Sequence, residues 1–217
     1  MICRQTVNIL ARNTFNTNRY LLSSVKEQKP FDLLYGINPV QAALHASKRQ
    51  IVSLMVSDSE HIELSGRLAK LIHLVRSKNL PILFSPKEKM SRIVDHQPHQ
   101  NVILKCTPLS LVNWDHSQTL PSGISVFCDK ITDPQNFGAV LRSSLFFGAS
   151  AVFTGKKHHC PLNTTVSKTS SGAMELMQIY GVGNSIDFVE KWKQSGGIVV
   201  STGVDEAKPH TPAHEIG

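Results

Sequence analysis

Residues 129–148 read DKITDPQNFGAVLRSSLFFG and directly follow a short apolar run, ISVFC, that is typical of a β-strand. Pro134 predicts a turn, and the residues after it predict a helix that carries Arg142 one turn from its start. The first N–H groups of a helix lack partners within the helix and attract anions. Gly138 would let a ligand or a neighbouring backbone come close, and the Arg142 guanidinium is a fork of donors suited to phosphate. The pattern predicts a strand–turn–helix site for a phosphorylated ribose.

Each of these residues also has an ordinary structural interpretation. Pro134 and Asn136 could turn the chain and cap the helix, Gly138 could serve close packing, and Arg142 could be a solvated surface charge. The whole pattern, Asp-x-x-x-x-Pro-x-Asn-x-Gly-x-x-x-Arg, is harder to explain in that way. It closely resembles the first motif of the SpoU-type RNA ribose 2'-O-methyltransferases, members of the SPOUT superfamily of knotted methyltransferases.

Three other segments resemble that family in the order in which the family uses them. LLYGINPVQAAL (33–44) resembles the opening of its small RNA-binding domain, and HQNVIL (99–104) resembles the closing strand of that domain. SKTSSGAMEL (167–176) resembles the Ser/Gly/Ala segment that follows the first motif. The resemblance runs from about 33 to about 204, and it is strongest to the branch, including mitochondrial members, that methylates a guanosine ribose in large-subunit ribosomal RNA.

The resemblance implies methyl transfer from S-adenosylmethionine to a ribose oxygen. It makes Arg142 the catalytic arginine, beside the 2'-oxygen and its flanking phosphate, where positive charge stabilises a developing alkoxide. Asn136 would hold that arginine or the ribose through hydrogen bonds. Thr202 and Gly203 match a loop that borders the cofactor.

The sequence departs from the family near its end. The family's later cofactor segments, a Gly-Asn/Ala-Glu-Gly loop and an Ile-Pro strand followed by Ser-Leu-Asn, have no counterpart before Gly217. We therefore expect a shortened chain in which the trefoil knot region and the main cofactor loops are missing, with weak stability or no cofactor affinity. The homodimer that the family forms would lose much of its contact. A non-catalytic RNA-binding or ribosome-assembly protein is the alternative, because the first domain and Arg142 would suffice to hold RNA.

The expected fold class is α/β, with a small RNA-binding domain at 31–107, a linker at 108–123 and a partial SPOUT domain, a doubly wound parallel sheet, at 124–217. In the first domain we predict a helix that begins at Pro39 with Asn38 as its cap, a strand at 51–57, a helix at 60–79, and strands in PILFS and NVILKCTPL. In the second we predict strands at 124–129, 151–154 and 197–203 and helices near 170–177 and 185–194. Six basic residues are expected to spread over the surface of the first domain: Lys48, Arg49, Arg67, Lys70, Arg76 and Lys78.

The amino-acid composition limits which kinds of partner and which cellular compartment suit the chain. The net charge of +7 and pI of about 9.3 suit a phosphate-rich partner, here ribosomal RNA, although solubility or a targeting peptide could also account for them. No apolar run approaches the roughly 18 residues of a membrane-spanning helix, which predicts a soluble protein. The four scattered cysteines predict reduced, mostly buried thiols, and the neighbouring His158, His159 and Cys160 lack the spacing of a metal site.

Residues 1–30 have a composition of their own. Arg4, Arg12 and Arg19 lie among Asn, Thr, Ser and Leu, and the first acidic residue is Glu27. This pattern predicts a mitochondrial transit peptide and hence a protein of the mitochondrial matrix. A basic tail that touches RNA is the alternative.

Overall fold

The computed structural model describes residues 31–58 and 66–202, so the predicted transit peptide at 1–30 lies outside the described residues. The first sheet contains β1 (Asp32–Tyr35), β2 (Ile51–Ser57), β3 (Ile82–Ser85) and β4 (Val102–Cys106), in the order β1-β4-β2-β3. Strands β2 and β3 run parallel, whereas β4 is antiparallel to both of its neighbours. Three helices accompany the sheet: α1 (Ile37–Ala46), α2 (Gly66–Ser77) and α3 (Lys87–Ile93).

The first sheet is buried by α1 and α2 on one face and only partly covered by α3 on the other, where Leu83 is 48% exposed. Alternate residues of β2, Leu54 and Val56, face α1 and α2 and share one buried cluster with them. The apolar residues of α2 recur at three- and four-residue steps and are buried, as the periodicity predicted. On the other face Met90 of α3 is fully buried against Tyr35 and Ile103.

The second sheet is entirely parallel, as expected for a doubly wound α/β fold. It contains β5 (Val112–Asn113), β6 (Ser125–Cys128), β7 (Ala151–Gly155) and β8 (Ile179–Val182), in the order β5-β8-β7-β6. The accompanying helices are α4 (Pro134–Phe146), α5 (Thr164–Thr169), α6 (Ala173–Leu176) and α7 (Ser185–Gln194). Strand β5 lies inside the segment predicted to be a linker, so part of that segment belongs to the second sheet.

Both faces of the second sheet are buried by helices. Val152 of β7 packs with Phe137 and Leu141 of α4, and the next residue, Phe153, packs on the opposite face with Phe188 of α7. Strands buried on both faces are nearly continuous apolar runs, which is why β7 could be recognised from its sequence. None of the described helices has the length and apolarity needed to cross a membrane.

Two predictions of local structure were wrong and a third was right only in part. Asn38 does not cap α1, which begins at Ile37 after Gly36 and whose first N–H donates to the Gln100 side chain over 3.0 Å. The helix expected near 170–177 is shortened to α6, because Ser171 and Gly172 adopt positive φ values of 53° and 89°, and α5 before it was not predicted. The strand expected at 197–203 does not form in the described residues 197–202, where Ile198 is 86% exposed.

Candidate functional site

The helix that carries the motif, α4, begins with a capped turn. The Asp133 carboxylate accepts a hydrogen bond from the Asn136 backbone N–H over 2.7 Å, and Pro134 occupies the first helical position. This pairing satisfies one orphan N–H group and presets the backbone angle of the first turn. The cap is therefore Asp133 and not Asn136, whose side chain is left exposed.

Arg142 lies farther along α4 than the sequence predicted. Because Asp133 and Pro134 start the helix, Arg142 is its ninth residue, about 12 Å along the axis from the first at 1.5 Å per residue. The prediction that the arginine sits one turn from the start was wrong. The guanidinium and the free N–H groups of the first turn therefore lie at different places along the helix.

The Arg142 side chain is exposed, although Leu141 before it is fully buried in the core of the second half. Buried Ser144 lies on the same inner face as Leu141, which leaves Arg142 pointing outward. Within residues 31–58 and 66–202 no carboxylate lies within ion-pair distance of it. Its donors are thus available to an outside anion.

The Asn136 and Arg142 side chains do not form a hydrogen bond with each other in this structure. They are six positions apart, whereas side chains on a helix meet at separations of three or four. No hydrogen bond between described residues joins the Asn136 amide to the guanidinium. Of the two roles expected for Asn136, holding the arginine is not seen, and contact with a ribose stays a prediction.

Gly138 serves close packing between helices. A Cβ atom at this position would lie 2.8 Å from the Thr169 Cβ and 3.1 Å from the Ser170 backbone nitrogen. Thr169 cannot easily move away, because its hydroxyl donates to the Pro134 carbonyl at the start of α4 and to the Thr165 carbonyl. The close neighbour that the glycine admits is therefore α5.

Exposed basic residues lie at the carboxyl ends of the parallel strands. Lys130 follows β6, and Lys156 and Lys157 follow β7. In the described residues, none of the three forms an ion pair. Ligands of open α/β sheets bind at this edge, so a positive charge there suits a phosphate-bearing ligand.

Two family profiles match the chain, one over each half. The profile of the SpoU rRNA Methylase family matches residues 123–216, which include α4 and the second sheet. The profile described as RNA 2'-O ribose methyltransferase substrate binding matches residues 33–112, which include the first sheet. The chain belongs to the SpoU methylase family.

SpoU relatives with mitochondrial names are similar over most of the chain. The human protein named "rRNA methyltransferase 1, mitochondrial" is 32% identical over 190 residues, which is 85% of this chain and 54% of the relative. The protein of the same name from Schizosaccharomyces pombe is 30% identical over 207 residues, 82% of this chain and 66% of the relative. The chain thus spans between about half and two thirds of the length of these relatives.

Solved RNA methyltransferase structures share the fold. A crystal structure titled "RNA 2'-O ribose methyltransferase" matches with a TM-score of 0.60 and 18% identity, covering 77% of this chain and 60% of the other. An AdoMet-bound rRNA methyltransferase from Sinorhizobium meliloti matches with a TM-score of 0.58 and 16% identity, covering 76% and 59%. At this identity the likeness concerns the fold.

The described residues do not assemble a site for S-adenosylmethionine. Thr202, one of the two residues expected to border it, is exposed at the end of the described range, and Gly203 lies outside that range. Residues 197–202 form no strand that could carry a loop into a pocket. That Thr202 and Gly203 border the cofactor therefore stays a prediction.

Sequence reasoning missed a buried charge cluster. Arg49 was expected on the surface, but its side chain is fully buried and pairs with the fully buried Glu175. Burial disfavours the charged guanidinium, but the hydrogen bonds to Glu175 and Asp32 and the charge of Glu175 outweigh it and raise the pKa of Arg49. The one available signal was Glu175 itself, an acid inside the apolar run GAMEL.

Proposed function

We propose that this chain acts in the S-adenosylmethionine-dependent 2'-O-methylation of a guanosine ribose in mitochondrial large-subunit ribosomal RNA. The observation that carries the proposal is Arg142, which is exposed and has no ion-pair partner among the described residues, on the motif helix of a chain that matches SpoU profiles in both halves. The mitochondrial rRNA methyltransferase names of its relatives support the substrate and the compartment. S-adenosylmethionine is proposed because SpoU structures similar to this chain contain AdoMet.

Arg142 is proposed as the catalytic residue. A ribose hydroxyl is a poor nucleophile near neutral pH, so the protein must orient it and stabilise the negative charge that develops on its oxygen. An exposed guanidinium without an acidic partner can donate to that oxygen and to the flanking phosphate at once. Asn136, exposed in the first turn of the same helix, is proposed to contact the ribose.

The first half is proposed to hold the RNA. This role is supported by the substrate-binding description of the profile that matches 33–112. We propose a domain at 31–107 and a domain at 124–217, joined by a linker at 108–123 of which Val112–Asn113 forms β5 of the second sheet. Contacts to phosphates would position the substrate, and the 2'-hydroxyl would distinguish RNA from DNA.

Location in the mitochondrial matrix, with 1–30 as a transit peptide, belongs to the same proposal. It is supported by the mitochondrial names of the relatives and by the arginine-bearing, acid-poor composition of that segment. The homodimer that the family resemblance implies stays a prediction.

A second candidate is an RNA-binding or ribosome-assembly protein without catalysis. The observation that favours it is that residues 197–202, which should lead to the cofactor, form no strand. Calorimetric titration with S-adenosylmethionine distinguishes the two candidates. Saturable binding by the 217-residue chain supports the methyltransferase, whereas RNA binding without cofactor binding supports the assembly protein.

The proposed function is tested by mapping ribose methylation across mitochondrial ribosomal RNA in cells with and without this protein. We expect one guanosine in the large-subunit RNA to lose its 2'-O-methyl group on depletion and to regain it on re-expression. Ribosome assembly defects with an unchanged methylation map would favour the second candidate. An unchanged map with normal ribosomes would refute both.

A further inference from the structure

A buried charged cluster joins the two sheets and has no part in the site described above. Arg49, between α1 and β2, donates from Nε and Nη2 to the two carboxylate oxygens of Glu175 in α6, over 2.8 and 3.0 Å. Its Nη1 donates to the Asp32 carboxylate in β1 and to the Thr107 carbonyl after β4, each over 2.7 Å. Ser167 in α5 donates to Glu175 Oε1 over 3.1 Å. One guanidinium thus connects two strands of the first sheet with a helix of the second half.

A buried ion pair is weak evidence for stability. The Arg49 and Glu175 side chains are both 0% exposed, so both charges have been removed from water. The loss of hydration of a buried pair commonly equals or exceeds the attraction between the charges, and apolar residues of similar volume give equal or higher stability. A bidentate pair fixes the geometry of its two side chains, because two parallel hydrogen bonds restrict both the distance and the angle between the guanidinium and the carboxylate. The pair therefore fits a role in orientation.

Two further hydrogen bonds between described residues cross the same boundary at separate places. Lys48 Nζ donates to the Met177 carbonyl after α6 over 2.6 Å, and Lys168 Nζ donates to the Pro98 carbonyl over 2.9 Å. A contact at one point allows rotation about that point. Polar contacts at three points, each with a preferred direction, define one orientation of the two sheets.

The cluster is also connected to the motif helix. Ser167, which bonds to Glu175, is on α5 two residues before Thr169. Thr169 donates to the Pro134 carbonyl at the start of α4 and packs against Gly138. The first sheet is thus joined to the helix that bears the proposed catalytic arginine through α5 and α6.

We propose that Arg49 and Glu175 are positioning residues whose buried pair sets the orientation of the first sheet relative to α4, and with it the distance between the bound RNA and Arg142. The distance between the RNA and Arg142 rests on the proposed function. The orientation of the first sheet relative to α4 does not, because it concerns the protein alone. Any RNA held by the first sheet would then present its target ribose at one fixed place on α4.

The orientation is measured by pulsed electron paramagnetic resonance between spin labels on Lys89→Cys in α3 and Lys193→Cys in α7, both exposed positions. Cys3→Ser removes the one native thiol outside the described residues, and the other three, Cys106, Cys128 and Cys160, are buried. The test variant is Arg49→Met/Glu175→Leu in an Asp32→Asn background, so that no carboxylate is left without its partner. Its matched control is Asp187→Leu/Lys191→Met, which makes the same chemical change at an exposed pair 3.0 Å apart in α7. Glu175→Gln is a second, nearly isosteric test.

We expect one narrow distance distribution in the parent and the control, and a distribution roughly twofold broader in the folded Arg49→Met/Glu175→Leu variant, because apolar contacts are less directional. Glu175→Gln should broaden it less. An unchanged width in both test variants would overturn the proposal. Unfolding of the apolar variant would also overturn it, because the pair would then be required for stability and not for orientation.

A photo-crosslinking amino acid at position 142 then tests the part that concerns RNA. With a mitochondrial ribosomal RNA fragment, the parent should crosslink to one nucleotide, and the apolar variant should crosslink to several with RNA affinity within about twofold of the parent. Retained crosslinking to a single nucleotide would contradict the positioning role. If the parent binds no RNA, the proposed function fails while the distance measurement still decides the orientation.

Discussion

Gly172 lies where the second half meets α1, and its replacement by alanine tests that contact. The residue has a φ of +89°, in the left-handed region, and a Cβ there would lie 2.6 Å from the Ala42 Cβ, 3.0 Å from the Asn38 carbonyl oxygen and 3.2 Å from the Pro39 Cα. Two of these atoms are backbone and the third is a short side chain held in a helix. None can move aside unless α1 moves.

The expected cost of Gly172→Ala has three parts. Left-handed backbone in a residue with a Cβ costs about 1–2 kcal/mol. Overpacking against α1 costs a further 1–3 kcal/mol or so, and the reduced freedom of the unfolded chain returns about 0.4–1 kcal/mol. We therefore expect a loss of about 2–4 kcal/mol in the free energy of unfolding.

The matched control is Gly148→Ala. Gly148 also has a positive φ, +74°, but a Cβ there would meet nothing within 4 Å, so this variant carries the backbone strain alone and should lose only about 1 kcal/mol. Urea unfolding followed by circular dichroism gives both values. Equal losses in the two variants would refute the close contact between α1 and Gly172. Adding Ala42→Gly to Gly172→Ala should recover part of the difference.

Three further predictions concern the cap, a buried histidine and the thiols. Asp133→Ala should cost about 1 kcal/mol in urea unfolding because it removes the cap of α4, and no loss would contradict the cap. Burial, followed by the charges of Lys87 and Lys168, lowers the pKa of His99, whose Nδ1 accepts the Asn101 N–H. The unfolded chain therefore binds this proton more readily, and the free energy of unfolding should fall as pH falls below about 6.5. His99→Gln should weaken this pH dependence, measured by urea titrations at two pH values. An unchanged pH dependence in the variant would contradict the role of His99. Burial raises the pKa of three thiols, so Ellman's reagent at pH 8 should reach them only on unfolding: Cys106 (about 12), Cys128 (about 11) and Cys160.

Local signals sufficed for the longer elements. The β-branched run IVSLMVS became β2 at Ile51–Ser57, as predicted, because such residues favour strands and no breaker interrupts them. The helix predicted at 185–194 matches α7, where the Asn184 side chain caps two N–H groups of the first turn. The parallel order of the second sheet follows from strands alternating with helices.

Short elements and long-range pairs were not predictable in this way. Helix α3 buries one residue, Met90, so its seven residues show no repeating pattern of apolar positions from which a helix could be predicted. Strand β5 has only two residues, and its partner, β8, lies more than 60 positions away. The burial of Arg49 depends on Glu175, 126 positions along the chain, and nothing near Arg49 in the sequence distinguishes it from a surface charge.

The motif predicted the helix α4 but not the place of Arg142 along it. Arg142 is exposed, and its catalytic role stays a prediction. Its place two turns into the helix depends on Asp133, which starts the first turn, whereas the sequence suggested Asn136 as the cap. Gly138 was open to two interpretations, and the contact with Thr169 decides for packing.

The role of Arg142 is tested most directly by replacing the protein in cells with the Arg142→Ala variant. Ribose methylation is then measured at the nucleotide that loses its methyl group when the protein is depleted. Arg67→Ala, at another exposed arginine, is the control. Because Arg142 is exposed and unpaired among the described residues, its loss should leave protein level and melting temperature unchanged. We predict that Arg142→Ala lowers the rate of methylation at least ~100-fold, the scale of losing one transition-state donor, while Arg67→Ala restores it. Near-normal methylation by a stable Arg142→Ala protein would contradict the account.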